Sequence, residues 1–183
     1  MKTVINTLVL ALISLFVSSN VLAQFFYPSS SFFSPAANLN RGSKTNPLQW
    51  LETHEVQVFG FLISVNDLGS KLTQNDDPIT VLAPTDKAFA KLPKDVRERL
   101  SEPGQMARLL KYHLVPQIIT DDQLKQGKVN TLEGSELQIS GEILPNQNTK
   151  VKLNEATAEI SIGFNDNLIV IVIDQVLLPP NFN

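Results

Sequence analysis

Residues 168–180 read LIVIVIDQVLLPP, and this stretch decides the fold. Its first six residues are leucine, isoleucine or valine with no polar residue between them, a pattern typical of a strand buried on both faces. Pro179 and Pro180 lack a backbone donor and therefore end the strand pairing. Asp174 directly follows the apolar run. Because a buried carboxylate needs hydrogen-bond donors, we interpret Asp174 as a lock at the strand end.

The segments before this run alternate between apolar and polar residues, which is the period of a strand with one buried face. The alternating apolar positions are Leu137 and Ile139, Val151 and Leu153, and Ile160, Ile162 and Phe164. These segments predict antiparallel hairpin strands in the second half of the chain.

The first half of the chain has helical patterns instead. Asn46 before Pro47 is a typical helix start, and helices are predicted over residues 48–55, 58–66 and 94–100. Gly69 is predicted to end the second helix, and residues 121–126 are predicted to form a short turn that Thr120 caps and Gly127 closes. Helices early and hairpin strands late predict an α+β domain with a sheet-on-sheet core.

Residues 80–89, TVLAPTDKAF, predict a strand that turns at Pro84 and enters a helix. Either Thr85 or Asp86 can cap that helix, a hydrogen bond that contributes ~0.5–2 kcal/mol. The structural interpretation is a capped strand-to-helix junction. The functional alternative is that Asp86, at the helix start, contacts a partner.

Tyr112 and His113 lie in the helical stretch LLKYHLVP, where His113 shares the apolar face of Leu109 and Leu110. A single histidine on an apolar face is usually a hydrogen-bonded core residue. No nucleophile accompanies it, and His54, the other histidine, does not have the spacing of the two-histidine zinc motif. We therefore predict no catalytic residue and no metal site.

The first 45 residues predict an export signal and a leader. Lys2, a short apolar stretch over residues 8–17 and the sequence Val-Leu-Ala before Gln24 are typical of a signal peptide, residues 1–23, cleaved after Ala23. Residues 24–45 form a Ser/Pro/aromatic leader, predicted to be flexible. Its aromatic residues, which either pack on the domain or form a sticky arm for a partner, are Phe25, Phe26, Tyr27, Phe32 and Phe33. Residues 46–180 are the predicted domain, and 181–183 a short tail.

Composition excludes several classes of function. The 183 residues include no cysteine, which excludes disulfides, thiolate metal sites and cysteine nucleophiles. Without residues 1–23 the chain has 14 basic and 18 acidic residues, a net charge of −4, which argues against nucleic-acid binding. The eight glycines are scattered and form no phosphate-binding loop. We expect no cofactor, no membrane anchor after signal cleavage, and a protein in the periplasm or outside the cell.

Together these motifs resemble the fasciclin domain family, in its bacterial, secreted, single-domain form. TVLAPTDKAF resembles the first signature of the family, Tyr112-His113 its central motif, and the sequence VID followed by VLLP the second signature. The resemblance implies a wedge-shaped β-sandwich with a helical segment packed over one end, used for adhesion without catalysis. It also makes Tyr112 and His113 candidate interaction residues.

The chain departs from the family pattern at two positions. The family usually has glycine and histidine where this chain has Leu168 and Ile171, so no role of that second histidine carries over. The missing glycine predicts that the hairpin at residues 165–167 has a positive φ at an asparagine or aspartate.

The sequence therefore favours a non-catalytic adhesion or interaction module that binds a protein or a surface glycan. The alternative is a carrier of an apolar small molecule such as a carotenoid or lipid, as in some secreted relatives of the family. An enzyme is disfavoured because the sequence contains no motif that supplies a reacting group. The sequence leaves the oligomeric state open.

Overall fold

The computed structural model describes residues 46–73, 77–143 and 149–182. The predicted signal peptide and leader, with their five aromatic residues, lie outside this part of the chain. Seven helices are assigned within it: α1 (Pro47–Thr53), α2 (Gln57–Val65), α3 (Gly69–Thr73), α4 (Asp86–Ala90), α5 (Lys94–Arg99), α6 (Pro103–Tyr112) and α7 (Asp121–Gln126). The strands are β1 (Ile79–Pro84), β2 (Leu114–Val115), β3 (Lys128–Asn130), β4 (Glu136–Ile143), β5 (Thr149–Leu153), β6 (Ala156–Asn165) and β7 (Leu168–Ile173).

The described strands form one mixed sheet in the order β2-β1-β7-β6-β5-β4-β3. The pair β1–β7 is parallel, from Ile79 opposite Leu168 to Pro84 opposite Ile173, and the other pairs are antiparallel. The sequence pattern does not predict that this pair is parallel. A strand buried on both faces is apolar throughout, and its composition does not indicate the direction of its neighbour.

Both faces of β1 and β7 are buried, as the apolar run predicted for β7. One face shares a core with β4 and β5, where Leu82 and Ile171 belong to the same buried cluster as Leu137 and Leu153. The other face packs against α1, α2 and α3, with Val81 and Val170 among its members. The predicted α+β sandwich of the wedge-like kind, with helices packed over one side, is confirmed.

Local signals place most helix ends correctly. Asn46 accepts a hydrogen bond from the N–H of Leu48, and Thr85 accepts one from the N–H of Ala88. Gly127 ends α7 with φ of 78°, the left-handed conformation that glycine adopts without strain. The Gly69 prediction was wrong, because Gly69 begins α3 and the residue with positive φ before it is Asp67.

The predicted positive φ in the β6–β7 hairpin was also wrong. Among the described non-glycine residues, positive φ occurs at Asp67, Asn154 and Asn181, and at none of residues 165–167. The turn instead uses an Asx contact in which Asn165 Oδ1 accepts from the N–H of Asn167 at 2.8 Å. Register shifts in β6 weaken its alternation, so Ile162 and Phe164 are only half-buried. The side chain of Ile160 lies outside the described part.

The packed domain continues beyond the predicted boundary at Pro180. Phe182 is buried with Val96, Leu100 and Leu109, and its carbonyl accepts a hydrogen bond from Arg99 at 3.1 Å. Residue 182 therefore belongs to the core and not to a free tail.

Candidate functional site

His113 lies at the C-terminal cap of α6 and is fully buried. Its Nε2 accepts a hydrogen bond of 3.0 Å from the backbone N–H of Leu177, 64 positions along the chain. Because an amide N–H can only donate, the proton of the neutral ring is on Nδ1. Nδ1 therefore donates to the carbonyl of Leu109 at 2.9 Å. The ring also contacts Phe59, with 5.6 Å between ring centroids.

Burial lowers the pKa of His113 from 6.5 to about 4, and the hydrogen bond to Leu109 offsets this only in part. The ring is therefore neutral near pH 7, and both of its nitrogens are bonded to backbone groups. A histidine in this state is a structural link between α6 and the segment after β7. It has no free nitrogen with which to accept a substrate proton.

Tyr112 is buried, and its hydroxyl bonds to a strand and to a turn. It donates to the carbonyl of Glu136 at 3.3 Å and accepts from Asn154 Nδ2 at 3.1 Å. Burial raises the pKa of Tyr112; the Asn154 hydrogen bond lowers it, and the charge of Glu133 raises it further. The Tyr112 hydroxyl thus ties α6 to β4 and to the β5–β6 turn.

Asn154, which the sequence analysis missed, completes this link. It lies in the β5–β6 turn with φ of 51°, a conformation that asparagine tolerates better than most residues. Its N–H donates to the carbonyl of Gln138 at 2.8 Å, and its Oδ1 accepts from the N–H of Gln138 at 3.0 Å. The available signal was an asparagine between two alternating runs, which is a typical hairpin turn.

Asp86 opens α4, and its carboxylate also serves another helix. Oδ1 accepts a hydrogen bond of 2.9 Å from the N–H of Val58 in the first turn of α2. The residue before α2 is Val56, which has no side-chain acceptor, so Asp86 supplies the missing cap from a distance of 28 positions. The N–H of Asp86 donates to the carbonyl of Glu55 at 2.8 Å.

Asp174 joins the end of β7 to the start of β6. Its Oδ1 accepts from the N–H of Thr157 at 2.6 Å, and its own N–H donates to the carbonyl of Thr157 at 3.1 Å. This reciprocal pair is the strand-end lock that the apolar run suggested. The other carboxylate oxygen of Asp174 has no partner among the described residues.

A second pair that sequence reasoning missed is Arg108 with Glu133. Arg108 Nε lies 2.7 Å from Glu133 Oε1, and Nη2 donates to the carbonyl of Pro180 at 2.5 Å. Burial raises the pKa of Glu133, but hydrogen bonds from Ser135 and Arg108 and the Arg108 charge outweigh it, so the pKa lies below its ordinary value. Arginine and glutamate usually lie on the surface, and these two residues are 25 positions apart, so no pattern in the sequence predicts that they pair.

The four predicted site residues do not form a single reacting centre. Asp86 and Asp174 follow the carboxyl ends of the parallel pair β1–β7, where the N–H of Thr85 donates to the carbonyl of Ile173 at 3.0 Å. Tyr112 and His113 bond to other partners, as given above. Within the described ranges, no group of three or more histidine or acidic side chains could hold a metal ion. His54 is exposed and stacks on Trp50 at 4.1 Å.

A profile of the fasciclin domain matches residues 54–179 of this sequence, which is more than half of the chain. The chain belongs to the fasciclin domain family. Fasciclin domains are generally non-catalytic adhesion modules. In this member Ile171 is fully buried in the sandwich core.

Relatives of this fasciclin chain come from bacteria and plants. Protein sll1483 of Synechocystis is 39% identical over 108 residues, which is 57% of this chain and 57% of the relative. Immunogenic protein MPB70 of Mycobacterium bovis is 30% identical over 59% of this chain and 53% of its own length. Fasciclin-like arabinogalactan protein 6 of Arabidopsis is 31% identical over 74% of this chain and 55% of its length. The chain therefore spans little more than half of these relatives.

The fold is also similar to a solved structure, a domain pair from the insect cell adhesion molecule Fasciclin I. The TM-score is 0.55 at 18% identity, covering 76% of this chain and 52% of the insect chain. At this identity the likeness supports the fold. In the described residues, no helix is both long and apolar enough to cross a bilayer.

Proposed function

We propose that this protein is an exported, non-catalytic adhesion module that binds a protein or a glycan of the cell surface. The observation that carries the proposal is that the residues of the family motifs make their hydrogen bonds within the fold. The hydrogen-bonding groups of Tyr112 and His113, and one carboxylate oxygen each of Asp86 and Asp174, are bonded to the scaffold. The motifs therefore supply rigidity, and binding falls to the surface that they hold in place.

The chemistry of the motif residues argues against turnover. A general base needs a free nitrogen or oxygen within hydrogen-bond reach of the substrate proton. His113 is buried, neutral near pH 7 and bonded at both nitrogens. An adhesion module needs no such group, since its affinity comes from a preformed complementary surface.

Export is supported by the first 23 residues, which have the charge and length of a signal peptide, and by the adhesion role given for the insect neighbour. The absence of cysteine is compatible with an oxidising compartment, because a domain of this size can be stable on its core alone. We place the protein in the periplasm or outside the cell.

The test is binding of envelope material from the source organism to beads that carry the chain from Gln24 to Asn183. Matched beads carry an unrelated exported protein of similar charge. We expect retention above the matched beads. Its loss after protease treatment of the envelope would assign the partner to protein, and its loss after periodate oxidation would assign it to glycan. Retention equal to the matched beads, or cytoplasmic fractionation of the native protein, would refute the proposal.

The carrier alternative receives no support from the names of the relatives given above, none of which indicates a pigment or lipid carrier. The main sequence feature in favour of a carrier, the aromatic leader, lies outside the described residues. We do not propose it.

A further inference from the structure

A surface cleft separates the α4–α5 connection from the segment that follows β7. It has a volume of about 320 Å³, with residues 88 and 91–93 on one wall and residues 174–176 and 178 on the other. This volume is at the lower end of the range for ligand sites, which is enough for a few side chains of a bound chain. None of the structural links described above fills it.

Asp174 brings a fixed negative charge to this cleft. Its Oδ1 is held by the N–H of Thr157, and its other oxygen has no partner in the part of the chain that the structure describes. Asp174 is only half-buried, so the free oxygen can be reached from outside. A carboxylate that is already oriented loses little entropy when it binds a cationic donor.

The same wall offers free backbone groups. The N–H of Leu177 is bonded to His113, but the N–H and carbonyl groups of Val176 and Leu178 have no protein partner within residues 46–73, 77–143 and 149–182. Both residues line the cleft. Unpaired backbone donors and acceptors beside a groove are what an incoming peptide uses when it adds to a strand edge.

Apolar surface completes the site. Leu178 is 37% exposed, one of the few large aliphatic side chains so exposed in the described chain, and the half-buried Leu92 faces it across the cleft together with Pro93. Alternate side chains of a bound peptide can pack on such a surface while its backbone pairs. A free backbone edge with an apolar rim favours a peptide over a sugar, because no aromatic side chain lines the described walls.

We propose that this cleft binds a short peptide segment of the partner, which pairs its backbone with Val176 and Leu178 and places an arginine or lysine against Asp174. This inference rests on the proposed function and names the partner class as protein. His113 then has an indirect part. By holding the N–H of Leu177, it positions the wall on which the peptide lies.

Lys91 makes the charge argument testable, because it lines the cleft and forms no ion pair with any described residue. Its exposed ammonium is unpaired and repels a cationic peptide, whereas Asp174 is held in place by its hydrogen bond from Thr157. Replacing Lys91 by glutamate should therefore strengthen binding of a cationic peptide. Lys111→Glu is the matched control, since Lys111 is exposed on α6 and does not line the cleft.

The probes are acetyl-Arg-Thr-Val-Thr-Leu-amide and the same residues in reverse order, so that both chain directions are tested. They are titrated into the chain from Gln24 to Asn183, with amide NMR shifts as the readout. We expect shifts at Val176 and Leu178, with Leu177 least affected. Asp174→Asn should weaken binding about fivefold and Lys91→Glu strengthen it about fivefold, the effect of a partly exposed ion pair. Lys111→Glu should change the affinity less than twofold. Asparagine can still accept from Thr157, so the fold is retained.

A third probe, with the central valine N-methylated, removes one backbone donor and should bind at least tenfold more weakly. The proposal is overturned if neither unmethylated probe shifts these amides at millimolar concentration, if Asp174→Asn leaves the affinity unchanged, or if only envelope oligosaccharide shifts them.

The envelope-bead assay separates the two proposals. Retention of envelope by the Asp174→Asn chain at the wild-type level leaves adhesion standing and rejects this cleft as its site. Probe binding without envelope retention supports the cleft as a peptide site and rejects adhesion to the envelope.

Discussion

Lowering the pH from 7 to 4 should destabilise this protein through one buried side chain, His113. In the folded state its pKa is lowered to about 4, because burial disfavours the charged ring and the hydrogen bond to Leu109 offsets this only in part. In the unfolded chain its pKa is the ordinary value, about 6.5. Between these values the unfolded state binds the extra proton, so the free energy of unfolding falls as the pH falls.

The magnitude follows from the two pKa values. The stabilisation is complete above about pH 6.5, about 2 kcal/mol of it is lost by pH 5, and about 3 kcal/mol is lost near pH 4. Below pH 4 the folded state also binds the proton, and this contribution levels off. A loss of this size is a large fraction of the ~5–15 kcal/mol that stabilises a typical domain.

The assay is urea unfolding of the chain from Gln24 to Asn183 at several values between pH 7 and pH 4. Other groups titrate in this range, so the quantity to compare is the pH slope of wild type against that of His113→Gln. His54→Gln is the matched control, because His54 is exposed and its ring stacks on Trp50 at the surface. We expect His113→Gln to be less stable than wild type at pH 7 and its free energy of unfolding to change less with pH. We expect the pH slope of His54→Gln to follow that of wild type. Equal slopes for wild type and His113→Gln would refute the assigned state of the ring.

Three further predictions test the packing and the links by urea unfolding at pH 7. Gly60→Ala should destabilise the folded protein by ~1–3 kcal/mol, because an added Cβ meets Leu51 Cβ at 2.9 Å. Gly104→Ala should be neutral or stabilise it by up to ~1 kcal/mol, because an added Cβ there has no atom within 4 Å. Equal effects of the two changes would contradict the close approach of α1 and α2. Tyr112→Phe should lose ~1 kcal/mol, since it removes one hydroxyl that joins β4 to the β5–β6 turn; an unchanged midpoint would mean that this link contributes nothing. Asp86→Ala should lose ~0.5–2 kcal/mol by uncapping α2, and Asp86→Asn, which keeps the acceptor, should lose less. The reverse order of these two variants would reject capping as its role.

Much of the fold could be predicted because its signals are local. The unbroken apolar run of β7, the alternation around Leu137 and Val151, and the capping residues Asn46 and Thr85 each depend on neighbours a few positions away. Where a local signal was ambiguous the prediction failed. Gly69 could end one helix or begin the next, and in the structure it begins the next.

The candidate site was predicted in its residues but not in its connections. Tyr112, His113, Asp86 and Asp174 were chosen from motifs, and the apolar face of α6 correctly placed His113 inside. Apart from the carbonyl of Leu109, four positions before His113, their side-chain partners could not be read from the sequence, because they lie 17 to 64 positions away and are often backbone groups, which carry no residue identity.

The amino-acid sequence by itself determined the succession of early helices and late hairpin strands, the buried run of β7 and the resemblance to the fasciclin family, since these follow from residue periods and short motifs. Tertiary structure alone decided the parallel pairing of β1 with β7, the bond from Leu177 to His113 and the turn at Asn154 that reaches Tyr112. It also brought the wall after β7 beside residues 88–93 to form the cleft at Asp174. The physical reason is range. Periodicity and capping act over one or two turns of chain, whereas a buried ring and a free carboxylate find their neighbours only when distant segments are packed together.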